Sequence, residues 1–143
     1  MWTHGQWRCV LLGFNSSGQV GDGSTTNRLV PVAVAGGLSF TTLGLGYYHA
    51  CGVASGGVMY CWGYNYFGQL GDGSTIDRSV PVAVAGGLRF TAVTANNVWT
   101  CGLTTSGAAY CWGGSSVPVP VPGGQTFTEV SAGNSHACGL TSG

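Results

Sequence analysis

The chain has 143 residues, enough for one ordinary domain with a real core, and carries 27 glycines, 11% aromatic residues and only 6% charged residues, where a typical domain has roughly 25% charged. Its basic residues are all arginine (Arg8, Arg28, Arg78, Arg89), balanced by Asp22, Asp72, Asp77 and Glu129 to a formal net charge of zero. Nothing here builds the positive field that nucleic-acid binding or a polybasic membrane patch requires. The 44% hydrophobic content, rich in Val, Thr, Tyr, Phe and Trp, excludes disorder and points to an all-β chain. No apolar run approaches the roughly 18 residues of a membrane helix. Residues 10–12 are too short for the apolar region of a secretory signal.

In chain order, residues 1–12 match nothing else in the sequence. From Gly13 onward the chain repeats itself. A glycine-rich loop, Gly21-Asp22-Gly23-Ser24-Thr25, precedes a short apolar run, Pro31-Val32-Ala33-Val34, which reads as an edge strand opened by proline. Gly36-Gly37 ends it. Residues 40–45 and 48–54 are β-rich runs separated by Gly46, and Ser55-Gly56-Gly57 reads as a tight turn into a strand over 58–63. Shifting the chain by 50 aligns residues 18–40 with 68–90, and 18 of these 23 positions are identical. The same shift places Cys51 on Cys101 and Tyr60-Cys61-Trp62-Gly63 on Tyr110-Cys111-Trp112-Gly113. A third copy follows at a shift of 37, with Pro81 on Pro118, Phe90 on Phe127 and Cys101 on Cys138, but without the Gly-Asp-Gly-Ser-Thr loop. Its run of alternating Val and Pro over 117–122 suits only an outer edge or a loop. Four short strands per repeat of about 50 residues, with glycine at every joint, match a β-propeller blade.

The organisation expected is therefore a partial propeller of four-stranded blades: repeat 1 over 13–63, repeat 2 over 64–113 and a truncated repeat 3 over 114–143. Residues 1–12 are expected to be non-native. The codons they require, read one base later, permit Cys-Gly-Leu-Thr-Ala-Ser-Gly-Val-Val-Tyr-Cys-Trp-Gly, close to residues 101–113. The sequence thus reads as a fragment of a longer repeat protein.

The string G-x-x-H-x-C-G-V/L-x-x-x-G-x-x-Y-C-W-G-x-N-x-x-G-Q-L-G-D-G-S-T resembles the RCC1 (regulator of chromosome condensation) repeat family, over residues 13–143. The resemblance implies a seven-bladed β-propeller. The cysteine-bearing repeats look like those of bacterial secreted or surface proteins. Departures bear on function: Trp99 stands where the other copies have His49 and His136. The exchange-factor loop and the clustered charges of the ultraviolet sensors are not matched here.

Cys51 and Cys61 flank the Ser55-Gly56-Gly57 turn symmetrically, so pairing Ala54 with Val58 sets them directly opposite, as it does Cys101 and Cys111 in the next copy. Opposed residues of an antiparallel pair have Cα atoms ~4.5–5.5 Å apart, within disulfide range. Two disulfides and an oxidising compartment, extracellular or at the cell surface, are expected. The alternatives are small buried thiols and a zinc site using His49, for which the spacing is unusual. His49 and His136 have no serine or acid recurring beside them in a triad-like pattern, and read as hydrogen-bonding residues between blades. The Gly-Asp-Gly-Ser-Thr loops carry one carboxylate each, too few for calcium, and no lysine for a phosphate. With them, Trp62, Gly63, Gly68, Gln69, Gly71, Trp112 and Gly113 read as the recurring structural frame. No catalytic residue, cofactor or metal ligand is expected.

The function expected is a non-catalytic scaffold that binds protein or glycan partners through its loops. The alternatives are an accessory propeller of a larger secreted enzyme and, less favoured, a nucleotide-exchange or chromatin-binding protein. The partners expected also include further blades of a parent propeller or a second copy, and neither nucleic acid nor a membrane span.

Overall fold

A computed structural model of the chain describes residues 8–142. The described residues form twelve strands and no helix. Strands β1 (Val10–Gly13) and β2 (Arg28–Ala33) make a two-stranded sheet. β3 (Phe40–Leu45), β4 (His49–Ala54), β5 (Met59–Gly63) and β6 (Arg78–Ala83) make a four-stranded antiparallel sheet in that order. β7 (Phe90–Ala95), β8 (Thr100–Thr104), β9 (Ala109–Trp112) and the two-residue β10 (Val119–Pro120) make a second. β11 (Phe127–Ala132) and β12 (Ala137–Thr141) close the series as another pair. Successive four-stranded meanders lying against one another are the architecture of a partial β-propeller.

Each sheet repeats the same irregularities. The β3–β4 ladder shifts between Phe40 and Thr42, β7–β8 between Phe90 and Ala92, and β11–β12 between Phe127 and Glu129. The β5–β6 ladder shifts between Cys61 and Gly63, and β1–β2 between Leu11 and Gly13. A bulge at a fixed place bends each strand equally, so each blade acquires the same twist. The turn at 55–57 gives the register expected from sequence: Ala54 N–H donates to Val58 C=O over 2.8 Å, and Cys51 stands opposite Cys61.

Two expectations change. The blade and the sequence repeat are out of phase. The strand after the Gly-Asp-Gly-Ser-Thr loop is not the first strand of a blade; it turns back to pair with the hairpin before the loop, β6 on β5 and β2 on β1. The complete blades are thus β3 to β6 and β7 to β10, flanked by two half-blades. The reason is topological: each hairpin needs an outer neighbour, and the loop brings the chain back antiparallel, whereas Gly86-Gly87 turns it on to the next blade. The second change concerns proline. Pro31 and Pro81 stand fourth in six-residue strands rather than first. Each of these strands is the outermost of its sheet, where a missing N–H costs no ladder bond. The Val/Pro run supplies the outer-edge strand β10.

The core lies between sheets. Cys51, Val53, Met59 and Cys61 of the first blade pack with Phe90, Val93 and Trp112 of the second, and Leu70 and Val84 seal the seam. Val34, Ala50 and Trp62 form a smaller cluster toward the first half-blade, with Cys9 and Leu11 against it. The expectation of a non-native segment over 1–12 falls on residues 1–7 outside the described residues; within it, β1 occupies the place of the Tyr-Cys-Trp-Gly strand.

Candidate interaction surface

The frame residues meet at the blade seams. Cys51 and Cys61 form a disulfide with Cα atoms 4.0 Å apart, and Cys101 and Cys111 form another at 4.1 Å. Trp62 and Trp112 are buried, and their indole N–H groups donate to the carbonyls of Gln19 (3.0 Å) and Gln69 (2.9 Å). A side chain needs a partner for its one polar atom when its ring is buried, and the preceding loop provides it. Gly71 lies flat beneath the Trp112 ring: a Cβ there would come within 2.6 Å of the indole nitrogen. Gly68 packs equally closely on the backbone of Ser116, and Gly63 and Gly113 on the strand beside them.

His49 is buried and bonds across the seam: its Nε2 lies 2.8 Å from Thr100 Oγ1 in the second blade. The Thr100 hydroxyl donates its proton to Gln69 C=O over 2.8 Å, so His49 Nε2 must be the donor to Thr100. Its Nδ1 has no hydrogen-bond partner among the described residues. Burial lowers the His49 pKa to about 4, since a charged ring there would lose its hydration. The equivalent Trp99 and His136 are exposed.

The acidic loops are self-contained. Asn65 Nδ2 donates to the carbonyls of Ser74 and Ile76, both 3.1 Å away, and its Oδ1 accepts from Leu70 N–H. Asp72 accepts from Ser74 and from Arg78 at 3.0 Å. Burial alone would raise its pKa, but the hydrogen bonds from Ser74, Arg78 and Asn65 hold the carboxyl below the ordinary carboxylate range. Asp22 is held low in the same way by Ser24 and Arg28, against burial. Asn15 repeats the clasp of Asn65. Among the described residues no three His, Cys, Asp or Glu side chains gather as a metal site would need.

What the repeat pattern does not reveal is an aromatic surface. Phe14, Tyr47, Tyr48, Tyr64, Tyr66 and Phe67 form a connected group of rings with neighbouring centroids 5.1–6.4 Å apart. Tyr64 and Tyr66 are stacked, and Tyr66 and Phe67 meet edge to face. Tyr47 is 71% exposed, Tyr66 67% and Phe14 55%. The residues come from three loops that the buried frame pins: the β3–β4 turn and the segments after β1 and β5. Residues 43–53 and 62–71 contain no Asp, Glu, Lys or Arg. One signal in the sequence could have found this surface, namely the positions where the copies differ: Tyr47 and Tyr48 align with Asn97 and Val98, and Tyr64, Tyr66 and Phe67 align with Gly114, Ser116 and Val117. Exposed apolar area gathered in one place on a rigid support is a mark of an interaction site.

Residues 56–103 match the regulator of chromosome condensation (RCC1) repeat, and residues 40–69 match a second RCC1 repeat family of the same description. No curated protein sequence matches the chain. Among solved structures, human WBSCR16 superposes with a TM-score of 0.79 at 17% identity, over 89% of this chain and 38% of that one. Prp20p of Saccharomyces cerevisiae, described with its binding properties to Gsp1p and histones, superposes with a TM-score of 0.77 at 17% identity, over 94% and 40%. The entire ectodomain of the receptor kinase CR4 from Physcomitrella patens gives a TM-score of 0.55 at 29% identity, over 76% and 26%. The chain spans well under half the length of the structures it matches.

Proposed function

We propose that the chain, of which residues 40–69 and 56–103 match RCC1 repeats, is a non-catalytic interaction module whose aromatic loops receive an uncharged protein or glycan surface in an oxidising compartment. The observation that carries this reading is the exposed rings of Phe14, Tyr47, Tyr48, Tyr66 and Phe67, gathered around the half-buried Tyr64. Tyrosine suits such a role because it offers a flat apolar face and a hydroxyl while losing little side-chain freedom on binding. The absence of charge from the segments that carry the rings favours a neutral ligand surface over an anion or cation. Two disulfides support the oxidising compartment. So does the likeness to a receptor-kinase ectodomain. The Gsp1p and histone binding named for the yeast protein is not carried over, because this chain has four basic residues balanced by four acidic ones.

The test is a glycan array and a cross-linking capture from secreted protein, each run with the chain and with Tyr47→Ser/Tyr66→Ser. A ligand retained by the chain and lost by the variant supports the reading. A ligand held equally by both, or one that binds only at low salt, overturns it.

A further inference from the structure

The rings of the aromatic surface meet one another at steep angles. Phe14 and Tyr48 are inclined at 64°, Tyr48 and Tyr64 at 67°, Tyr64 and Phe67 at 70°, and Tyr66 and Phe67 at 87°. Tyr64 and Tyr66, at 18°, lie near parallel. Edge-to-face contact sets the face of one ring against the rim of the next, so the group presents clefts and not one flat plane. Backbone hydrogen bonds hold these clefts in shape. Tyr64 N–H donates to Tyr48 C=O over 2.7 Å, tying the segment after β5 to the β3–β4 turn, and Phe67 N–H donates to Gln69 Oε1 over 3.0 Å. Gln69 is itself buried and its carbonyl receives the Trp112 indole, so the rings stand on the seam that joins the blades. The four tyrosines bring four hydroxyl donors, and residues 43–53 and 62–71 bring no charge.

We propose that this surface receives a neutral, proline-rich segment of another protein in the polyproline II conformation. The inference rests on the reading of the rings as an interaction site and narrows it to one occupant. Shape favours it: a pyrrolidine ring is compact and apolar on both faces and enters a cleft between aromatic rings, whereas a glycan stacks its flat sugar faces on ring planes that lie open and parallel. Hydrogen bonding favours it too. A polyproline II helix has no internal hydrogen bonds, so its carbonyls stand outward, and proline has no N–H; such a ligand asks for donors alone, which tyrosine hydroxyls supply. A segment without charged residues also gives up no hydrated ion on an uncharged surface. Both partners are stiff before they meet, so little freedom is lost on binding. The chain's own Val/Pro run is committed elsewhere: Val119 and Pro120 pair with Cys111 and Tyr110 in the second blade.

The test titrates an end-capped polyproline peptide into the unmodified chain, read by tyrosine fluorescence and by heat, at low and high salt. A Gly-Ser peptide of equal length and neutral oligosaccharides of glucose and of N-acetylglucosamine are titrated alongside. The expected result is saturable binding of polyproline that salt leaves unchanged, with no binding of the flexible peptide. Tyr47→Ser/Tyr66→Ser, shown folded by its unfolding curve, should weaken it about tenfold or more. No saturable binding of polyproline, equal binding of the Gly-Ser peptide, or equal binding by the variant overturns the proposal. If an oligosaccharide binds instead and the variant loses it, the proline-rich occupant is overturned while the rings stand as an interaction site. If neither these probes nor the array and capture yield a ligand that depends on the tyrosines, both readings fall.

Discussion

The two complete blades have the same skeleton and different rims. β3 to β6 and β7 to β10 share the ladder register, the bulge after the first phenylalanine, the disulfide and the buried tryptophan. At the rim they part. The first blade carries Tyr47, Tyr48, Tyr64, Tyr66 and Phe67 where the second has Asn97, Val98 and a short Gly114-Ser115-Ser116 passage. The first buries His49 against Thr100, whereas the second leaves Trp99 exposed at the matching place. The difference teaches where this chain is free to vary. Residues packed inside a seam, such as Trp62 and Trp112 and the paired cysteines, repeat because each must fit the neighbouring sheet; residues on the loops answer only to solvent or a partner.

The sharpest way to break the comparison is at the tryptophans. Trp62→Ala and Trp112→Ala should each cost about 3–5 kcal/mol, because each opens a cavity; Trp62→Ala also removes the donor to the Gln19 carbonyl, whereas the Gln69 carbonyl keeps Thr100. Trp112 sits in the larger cluster and should be the more damaging. Denaturant unfolding of the two variants measures both, and equal small losses would dissolve the idea that the seams hold the fold.

Removing one disulfide comes next. Cys51→Ala/Cys61→Ala and Cys101→Ala/Cys111→Ala should each cost about 2–3 kcal/mol for so short a closed loop. Parity between the pairs is the point, and the same unfolding curves test it, with reductant abolishing the difference from the unmodified chain.

The histidine separates the blades by pH. Folding lowers the His49 pKa from 6.5 to about 4, so the folded state binds the proton less readily than the unfolded chain. Stability is then fully present above pH 6.5 and falls as pH drops toward 4. The loss at pH 5 relative to neutrality should be on the order of 2 kcal/mol. His49→Gln should flatten that part of the pH profile.

The smallest effect on stability should come from the rim. Tyr47→Ser and Tyr66→Ser should each shift unfolding by about 0.5 kcal/mol or less. Asn97→Tyr in the second blade should be as mild. If the rim tyrosines prove as costly as the seam residues, they belong to the core and not to an interaction surface.

Much of the architecture is legible in the amino-acid sequence. The period of 50, the strand runs at 40–45 and 58–63 and the turn at 55–57 follow from local sequence, and so does the facing of Cys51 and Cys61. A short hairpin with a defined turn fixes its own register, so a linear sequence suffices to place its pairs. The aromatic surface was not legible in this way. Phe14, Tyr48 and Tyr64 lie far apart in the chain, and only the stacking of a half-blade on a blade brings them together.

The sequence by itself determined an all-β repeat of four-stranded units with glycine at its joints and paired cysteines in its hairpins. Tertiary structure alone decided that the repeat and the blade are out of phase and that His49 finds Thr100 across a seam. The physical reason is the range of the interactions. Turn geometry and alternation act over a few residues, and repetition makes them visible. Blade boundaries depend on which strand returns to which edge, and that is settled only when the loop between them packs on the neighbouring blade's tryptophan.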